Sequence, residues 1–286
     1  MAFDGNSVDN QYYNVVFMIN SVVEYTDGKV FLREEGVKQT STLLFPGIYG
    51  FEYDAYGVFK NFTSTKIPEI YPLMPSTEIK NIQQYLDIFF SKKHFELMSR
   101  VRMNNKTGIL LHGHPGTGKS NYINSILLRS LENKSCIFNI SREKDLRIAI
   151  EQCKNLRRIQ NNLFVFLMEE IDELFTERGT EAVLKNFMDG INSIDNCLFL
   201  ASTNYIDTIP KSLIERPSRF KKVFEIKYSE NIEEMKEWLE GMYKSFIPNI
   251  SKENIESLHE QCLNKTIEQI KHILIDYCLK IETISN

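Results

Sequence analysis

The run GILLHGHPGTGKSNYINSI, residues 108–126, allows few folds. A short apolar stretch leads into Gly113-His114-Pro115-Gly116-Thr117-Gly118-Lys119-Ser120, which fits G-x-x-x-x-G-K-[ST], and helical spacing follows at once. Strand, glycine-rich turn and helix in that order form a phosphate cradle. The glycines let backbone N–H groups approach phosphate oxygens, and the helix start near Lys119 adds partial positive charge. In such a cradle Lys119 reaches the β- and γ-phosphates of ATP, and the Ser120 hydroxyl ligates Mg²⁺.

A second segment completes the chemistry. In LFVFLMEEIDELF, residues 163–175, six apolar residues run into Glu169, Glu170, Asp172 and Glu173. Adjacent carboxylates at the edge of a core repel each other and resist desolvation, so a bound cation gives the arrangement a reason. The apolar part reads as a buried strand of the same sheet, and ligands bind at the C-terminal edge of such sheets. Glu169 is assigned to the surroundings of Mg²⁺ and Glu170 to polarising the attacking water. Asp172 and Glu173 begin the next helix, where negative charge is favoured.

Around these motifs, TGILLHG, SCIFNI, NLFVFLM, CLFLAST and KVFEIKY read as short apolar strands alternating with helices, the pattern of a parallel sheet covered on both faces. Residues 11–62 are rich in Val, Phe and Tyr and read as further strands, YNVVFMI, KVFLREE and TLLFPGIYGFEYDAYGVFKNF. KIPEIYPLMPS is a connector, a helix is expected from Thr77, and three helices follow residue 228. The expected fold is therefore α/β: a P-loop NTPase sheet at 76–228, a helical C-terminal lid at 229–286, and a small β-rich N-terminal domain at 1–75 for a client or partner. The aromatic run Phe51, Tyr53, Tyr56 and Phe59 alternates as ordinary core does.

The 286 residues carry a net charge of -4, which argues against a general electrostatic grip on nucleic acid. No apolar stretch approaches the roughly 18–20 residues that span a bilayer, and MAFDGNSVDN lacks a signal-peptide pattern, so a cytoplasmic location without membrane insertion is expected. The five cysteines include no CxxC pair and read as reduced thiols.

With these motifs the chain resembles the AAA branch of the AAA+ ATPases over roughly residues 78–280. GHPGTGKS is similar to Walker A, FVFLMEEIDEL to Walker B, and LFLASTNYIDTIPKSLIERPSRF to the sensor-one strand with the second region of homology. The resemblance implies that Asn204 positions the attacking water and that Arg216 and Arg219 reach a neighbouring subunit's nucleotide. It implies a homo-oligomeric ring, hexameric in form, that hydrolyses ATP with Mg²⁺ to remodel a protein client. The absence of any aromatic or glycine from SREKDLRIAIEQCKNLRRIQNN, together with GKSNYI and RPSRF, resembles the subgroup of the mitochondrial Rieske-protein translocase. Aromatic pore-loop threading is not implied. Glu169 stands where the family has Asp, which points to altered Mg²⁺ affinity or turnover and leaves a slow nucleotide-gated switch as an alternative. A nucleic-acid-directed motor is the other alternative, kept open by the cations of residues 142–158; Asn139, closing its strand, is a candidate partner for Glu170.

Overall fold

The computed structural model describes residues 22–26, 29–33, 43–74, 77–177, 179–189, 193–227, 232–247, 250–262 and 265–284. The strand expected at YNVVFMI lies outside them. Among the described residues nine strands form one sheet: β1 (Val22–Thr26), β2 (Lys29–Arg33), β3 (Gly47–Tyr53), β4 (Phe59–Thr65), β5 (Lys106–His112), β6 (Cys136–Asn139), β7 (Phe164–Met168), β8 (Cys197–Thr203) and β9 (Lys222–Glu225), in the spatial order β1-β2-β4-β3-β6-β7-β8-β5-β9. From β3 to β9 the strands are parallel; β1, β2 and β4 join antiparallel. Because β3 pairs with β6 from Gly47↔Cys136 to Tyr49↔Phe138, the sheet runs across the boundary expected at residue 75.

Ten helices are described: α1 (Thr77–Phe89), α2 (Lys92–Arg100), α3 (Lys119–Glu132), α4 (Glu143–Arg157), α5 (Ile171–Leu174), α6 (Thr180–Asp189), α7 (Lys211–Ile214), α8 (Ile232–Phe246), α9 (Lys252–Cys262) and α10 (Ile267–Ile284). No helix among the described residues is long and apolar enough to cross a membrane. The sequence reading had no counterpart for α2 or α6. The first buries none of its residues, and the second is short, burying Leu184, Phe187 and Met188.

Strand alternation sorts the core into two chemistries. Ile109 and Leu111, Ile137, Val165 and Leu167, and Leu198 and Leu200 point to one face, where α1, α3 and the lid helices cover them. Cys136 and Phe138, Phe164 and Phe166, and Cys197 and Phe199 point to the other, under α4 and α6. On that face the register Phe138↔Phe166↔Phe199 stacks three rings at centroid distances of 5.8 and 5.3 Å. Phe187 of α6 closes on two of them edge-on at 4.8 and 5.2 Å. Each such aromatic pair contributes about 0.5–1.5 kcal/mol beyond burial, so this stack holds the strands that carry the candidate site in register. Phe51, Phe59 and Phe62 extend it, while Tyr56 of the same run is exposed.

Candidate active site

The phosphate loop leaves β5 at His112 and enters α3 at Lys119. Gly116 and Gly118 have φ of +81° and +89°, and a Cβ there would lie 2.6 Å from Thr266 and 2.5 Å from Ile267. Both the conformation and the close approach require glycine. The start of α10 is thereby seated on the loop, and the Ile267 N–H donates to Gly116 O at 3.4 Å. The Thr117 hydroxyl donates to His114 O at 2.9 Å, and the Lys119 ammonium to Gly113 O and His114 O at 2.8 and 2.9 Å. His114 and Pro115 are exposed at the loop's outer turn, so they contribute backbone.

Strand β7 delivers the carboxylates. Met168 is its last residue; Glu169 and Glu170 form the turn, and α5 begins with Asp172 and Glu173 in its first turn. Glu169 and the Ser120 hydroxyl line the same cleft, bringing together the two side chains assigned to Mg²⁺. Loss of water contact raises the Glu169 carboxyl pKa above the usual range even though the side chain reaches the cleft surface. Ser120 opposes that shift and the negative Glu170 adds to it. Burial lowers the Lys119 ammonium, with Glu170 and then Asp172 opposing. Glu170 itself sits at φ +50°, ψ +49°, a left-handed conformation a non-glycine residue adopts at a cost of order 1–3 kcal/mol. Its N–H points to Ser202 Oγ at 3.4 Å. Such local strain at a carboxylate on a strand's C-terminal end fits a positioned reactive group.

Strand β8 ends in the same place. The Thr203 hydroxyl donates to Asp172 Oδ1 at 2.6 Å and accepts from the Tyr205 N–H at 2.9 Å, which fixes Asn204 between them. Lys119, Ser120, Glu169, Glu170 and Asn204 all line one cleft of about 430 Å³ with the phosphate loop. Asn139 is exposed and not among its lining residues.

Tyr71, Asn121, Asn124 and Lys271 also line this cleft, and the sequence reading gave none of them a role. The Asn121 carboxamide clasps the connector, accepting from the Tyr71 N–H at 3.0 Å and donating to Tyr71 O at 2.9 Å. Trp238 of α8 donates to Pro72 O at 2.7 Å, and Lys271 of α10 lies 4.4 Å from the Tyr71 ring centroid. The connector thus straps the phosphate-loop helix to the lid. Its signal, an Asn directly after G-K-S and a Tyr-Pro far upstream, joins only in three dimensions.

Arg216 and Arg219 occupy different environments. The Arg216 side chain is 64% exposed and only 4.0 Å from Asp189. Arg219 is 6% exposed; its Nε donates to Asp189 Oδ2 at 2.9 Å, one terminal nitrogen to Asp189 Oδ1 at 3.3 Å and the other to Ser212 O at 2.6 Å. Its guanidinium is committed within its own chain.

Residues 109–228 match the ATPase family associated with various cellular activities (AAA). The chain is similar to Protein CdcH of Halobacterium salinarum, at 25% identity over 171 residues, 52% of this chain and 21% of that protein. It is similar at 25% identity to the proteasome-activating nucleotidase of Saccharolobus islandicus, over 52% of this chain and 41% of that protein. It is likewise 25% identical to the human Mitochondrial chaperone BCS1, over 56% and 40%. The chain spans less than half the length of each of these relatives. Strand order, phosphate loop and paired carboxylates agree with the family match, which places an AAA ATPase domain at residues 109–228.

Proposed function

We propose that this chain hydrolyses ATP with Mg²⁺ at the cleft and uses the cycle to remodel a protein client within a homo-oligomeric, hexameric ring. The observation that carries the reading is the convergence of Lys119, Ser120, Glu169, Glu170 and Asn204 on one cleft with the phosphate loop. A hydroxyl and a carboxylate are hard oxygen donors and suit Mg²⁺. When bound, Mg²⁺ neutralises phosphate charge. The loop N–H groups and Lys119 hold the β- and γ-phosphates. Glu170 orients the attacking water and draws on its proton, and Asn204 fixes its line of attack, as the bond from the γ-phosphorus to the bridging oxygen breaks to give ADP and phosphate. Arg216, exposed and loosely held, is the finger for a neighbour's transferring phosphoryl group; Arg219 shapes the turn that presents it.

A protein client is favoured over nucleic acid because three of the cations of residues 142–158 are engaged within the chain. Arg142 bonds Asp145, Arg147 pairs with Glu143, and Arg157 donates to Asn161, Asn162 and Asn196. The name of the mitochondrial chaperone relative supports a protein as the client class.

The test is the ATP turnover per subunit across a wide range of protein concentration, with sizing of the same samples. A rate that climbs steeply and saturates as rings form supports a site completed between subunits. Bound ATP without turnover at any concentration would move the assignment to the slow switch, with Glu169 as its cause.

A further inference from the structure

None of the nine residues of α2 is buried. Its one side-chain cap is the Ser91 oxygen, which accepts from the His94 N–H at 3.2 Å. A helix this short is marginal in water without packing. Leu97 and Val101, one turn apart, are 47% and 51% exposed, and Lys93 and Arg100 are exposed on the same face. Met103, also exposed, enlarges the apolar patch. From Lys92 to Arg102 the segment carries four cations and one carboxylate. An apolar patch rimmed by charge marks a contact surface.

The complementary surface is on the same chain, in the lid. Glu268 and Lys271 of α10 line the ATP cleft, and Ile275 and Leu279 are the next two turns of that helix face, 45% and 56% exposed. From residue 232 to 280 the lid carries nine carboxylates against six lysines. An apolar pair one turn apart on an acidic lid thus matches an apolar pair one turn apart on a basic helix.

Their positions fit a neighbour. Helix α2 packs on α1, and α1 on β9, the outermost strand of its edge, with Lys222 Nζ 5.1 Å from the Tyr85 ring centroid. Burial, and then the charge of Lys221 just ahead of β9, lowers the His94 imidazole of α2. Strand β9 follows the turn that presents Arg216, so α2 and Arg216 flank one edge of the sheet. A neighbour whose cleft receives Arg216 brings α10 to that edge, because Glu268 and Lys271 line the cleft. Resting on the ring reading above, we propose that α2 docks head-to-tail on the lid of a second copy of this chain, Leu97 and Val101 against Ile275 and Leu279. A contact between two different surfaces of one chain propagates from copy to copy and closes into a ring. The basic and acidic surroundings fix which face meets which.

The test sizes the full chain across a range of protein concentration beside two variants, Leu97→Glu with Val101→Glu and Ile275→Glu with Leu279→Glu. All four side chains are exposed, and circular dichroism checks that each variant folds as the parent does. Each variant alone should need about tenfold more protein than the parent to assemble, or more still. Mixed together they should form two-chain species and nothing larger, because only one intact pair of surfaces can meet. Lys93→Glu with Arg100→Glu, which removes no apolar side chain, should also weaken assembly by about tenfold at low salt. A parent that assembles while either apolar variant assembles at the same concentration overturns the docking alone, whether the face then serves another protein or a contact of α2 with α2. Mixtures that grow beyond two chains overturn it as well. A parent that stays a single chain at every concentration overturns the ring reading, and the docking with it.

Discussion

The two edges of the parallel sheet are made by the same strands and handle opposite chemistry. At the C-terminal edge β5, β7 and β8 end in a lysine-bearing loop, two adjacent carboxylates and a threonine–asparagine pair, all charged or polar groups around one cleft. At the N-terminal edge they begin in neutral carboxamides bound to one another and to backbone. Non-glycine residues with positive φ occur at both: Glu170 at one, Lys134 and Asn196 at the other. The difference is what those conformations serve. At Glu170 the turn presents a carboxylate to a cleft, whereas Asn196 sits directly ahead of β8 and holds an amide network together. Carboxylates and the loop lysine gather where a phosphate would be held, whereas the other edge is a set of carboxamides flanked by Lys92, Lys134 and Arg157.

Variants that separate the edges should rank clearly. The largest effect is expected from Arg216→Ala, about 10³-fold in kcat under saturating ATP; melting should stay within about 1 °C of the parent because the side chain is exposed and weakly paired. Glu170→Gln should lower kcat by about 10²-fold or more while filter binding still finds ATP retained. A Glu170→Gln chain that turned over at the parent rate would contradict the assignment of that carboxylate.

Arg219→Ala should act on folding, not chemistry, destabilising by about 3 kcal/mol in denaturant titration because it opens a buried site held by three hydrogen bonds. Burial alone would raise the Asp189 carboxyl, but the Arg219 and Ser218 bonds outweigh it and hold it below the usual range. The part of the loss due to that pair is therefore full at neutral pH and fades as pH falls through the folded Asp189 range.

Glu169→Gln should give a smaller change of opposite sign. A carboxyl raised in the fold destabilises it once ionised, so the variant should melt slightly above the parent at pH 7, with the gain vanishing as pH falls below the usual carboxylate range. Turnover should need more Mg²⁺ in the same variant. Smallest of all, Asn162→Leu at the far edge should leave ATP turnover within about twofold of the parent, measured by phosphate release.

Legibility in the sequence follows the same divide. The phosphate loop and the Glu169–Glu170 pair are contiguous, because the chain makes each part of the cleft in a single turn at a strand end. The sequence alone assigns Ser120 and Glu169 to the surroundings of one Mg²⁺. The distinction between Arg216 and Arg219 is not legible there, since the two lie three positions apart and Asp189, which claims Arg219, lies on α6, a helix too short to show a period. The Tyr71–Asn121–Trp238 strap joins residues up to 167 positions apart and carries no local pattern. The amide collar was invisible for the same reason, as its members sit on separate loops. The pairing of β3 with β6 escaped because parallel partners share no turn.

The most direct measurement mixes two inactive chains, Arg216→Ala and Glu170→Gln, and follows ATP turnover as their ratio varies. A site built between subunits pairs an intact Glu170 from one with an intact Arg216 from the other, so turnover should appear in the mixture and peak near equal amounts. Mixtures that co-assemble by sizing yet stay as inactive as either chain alone would contradict a site completed by a neighbour's arginine.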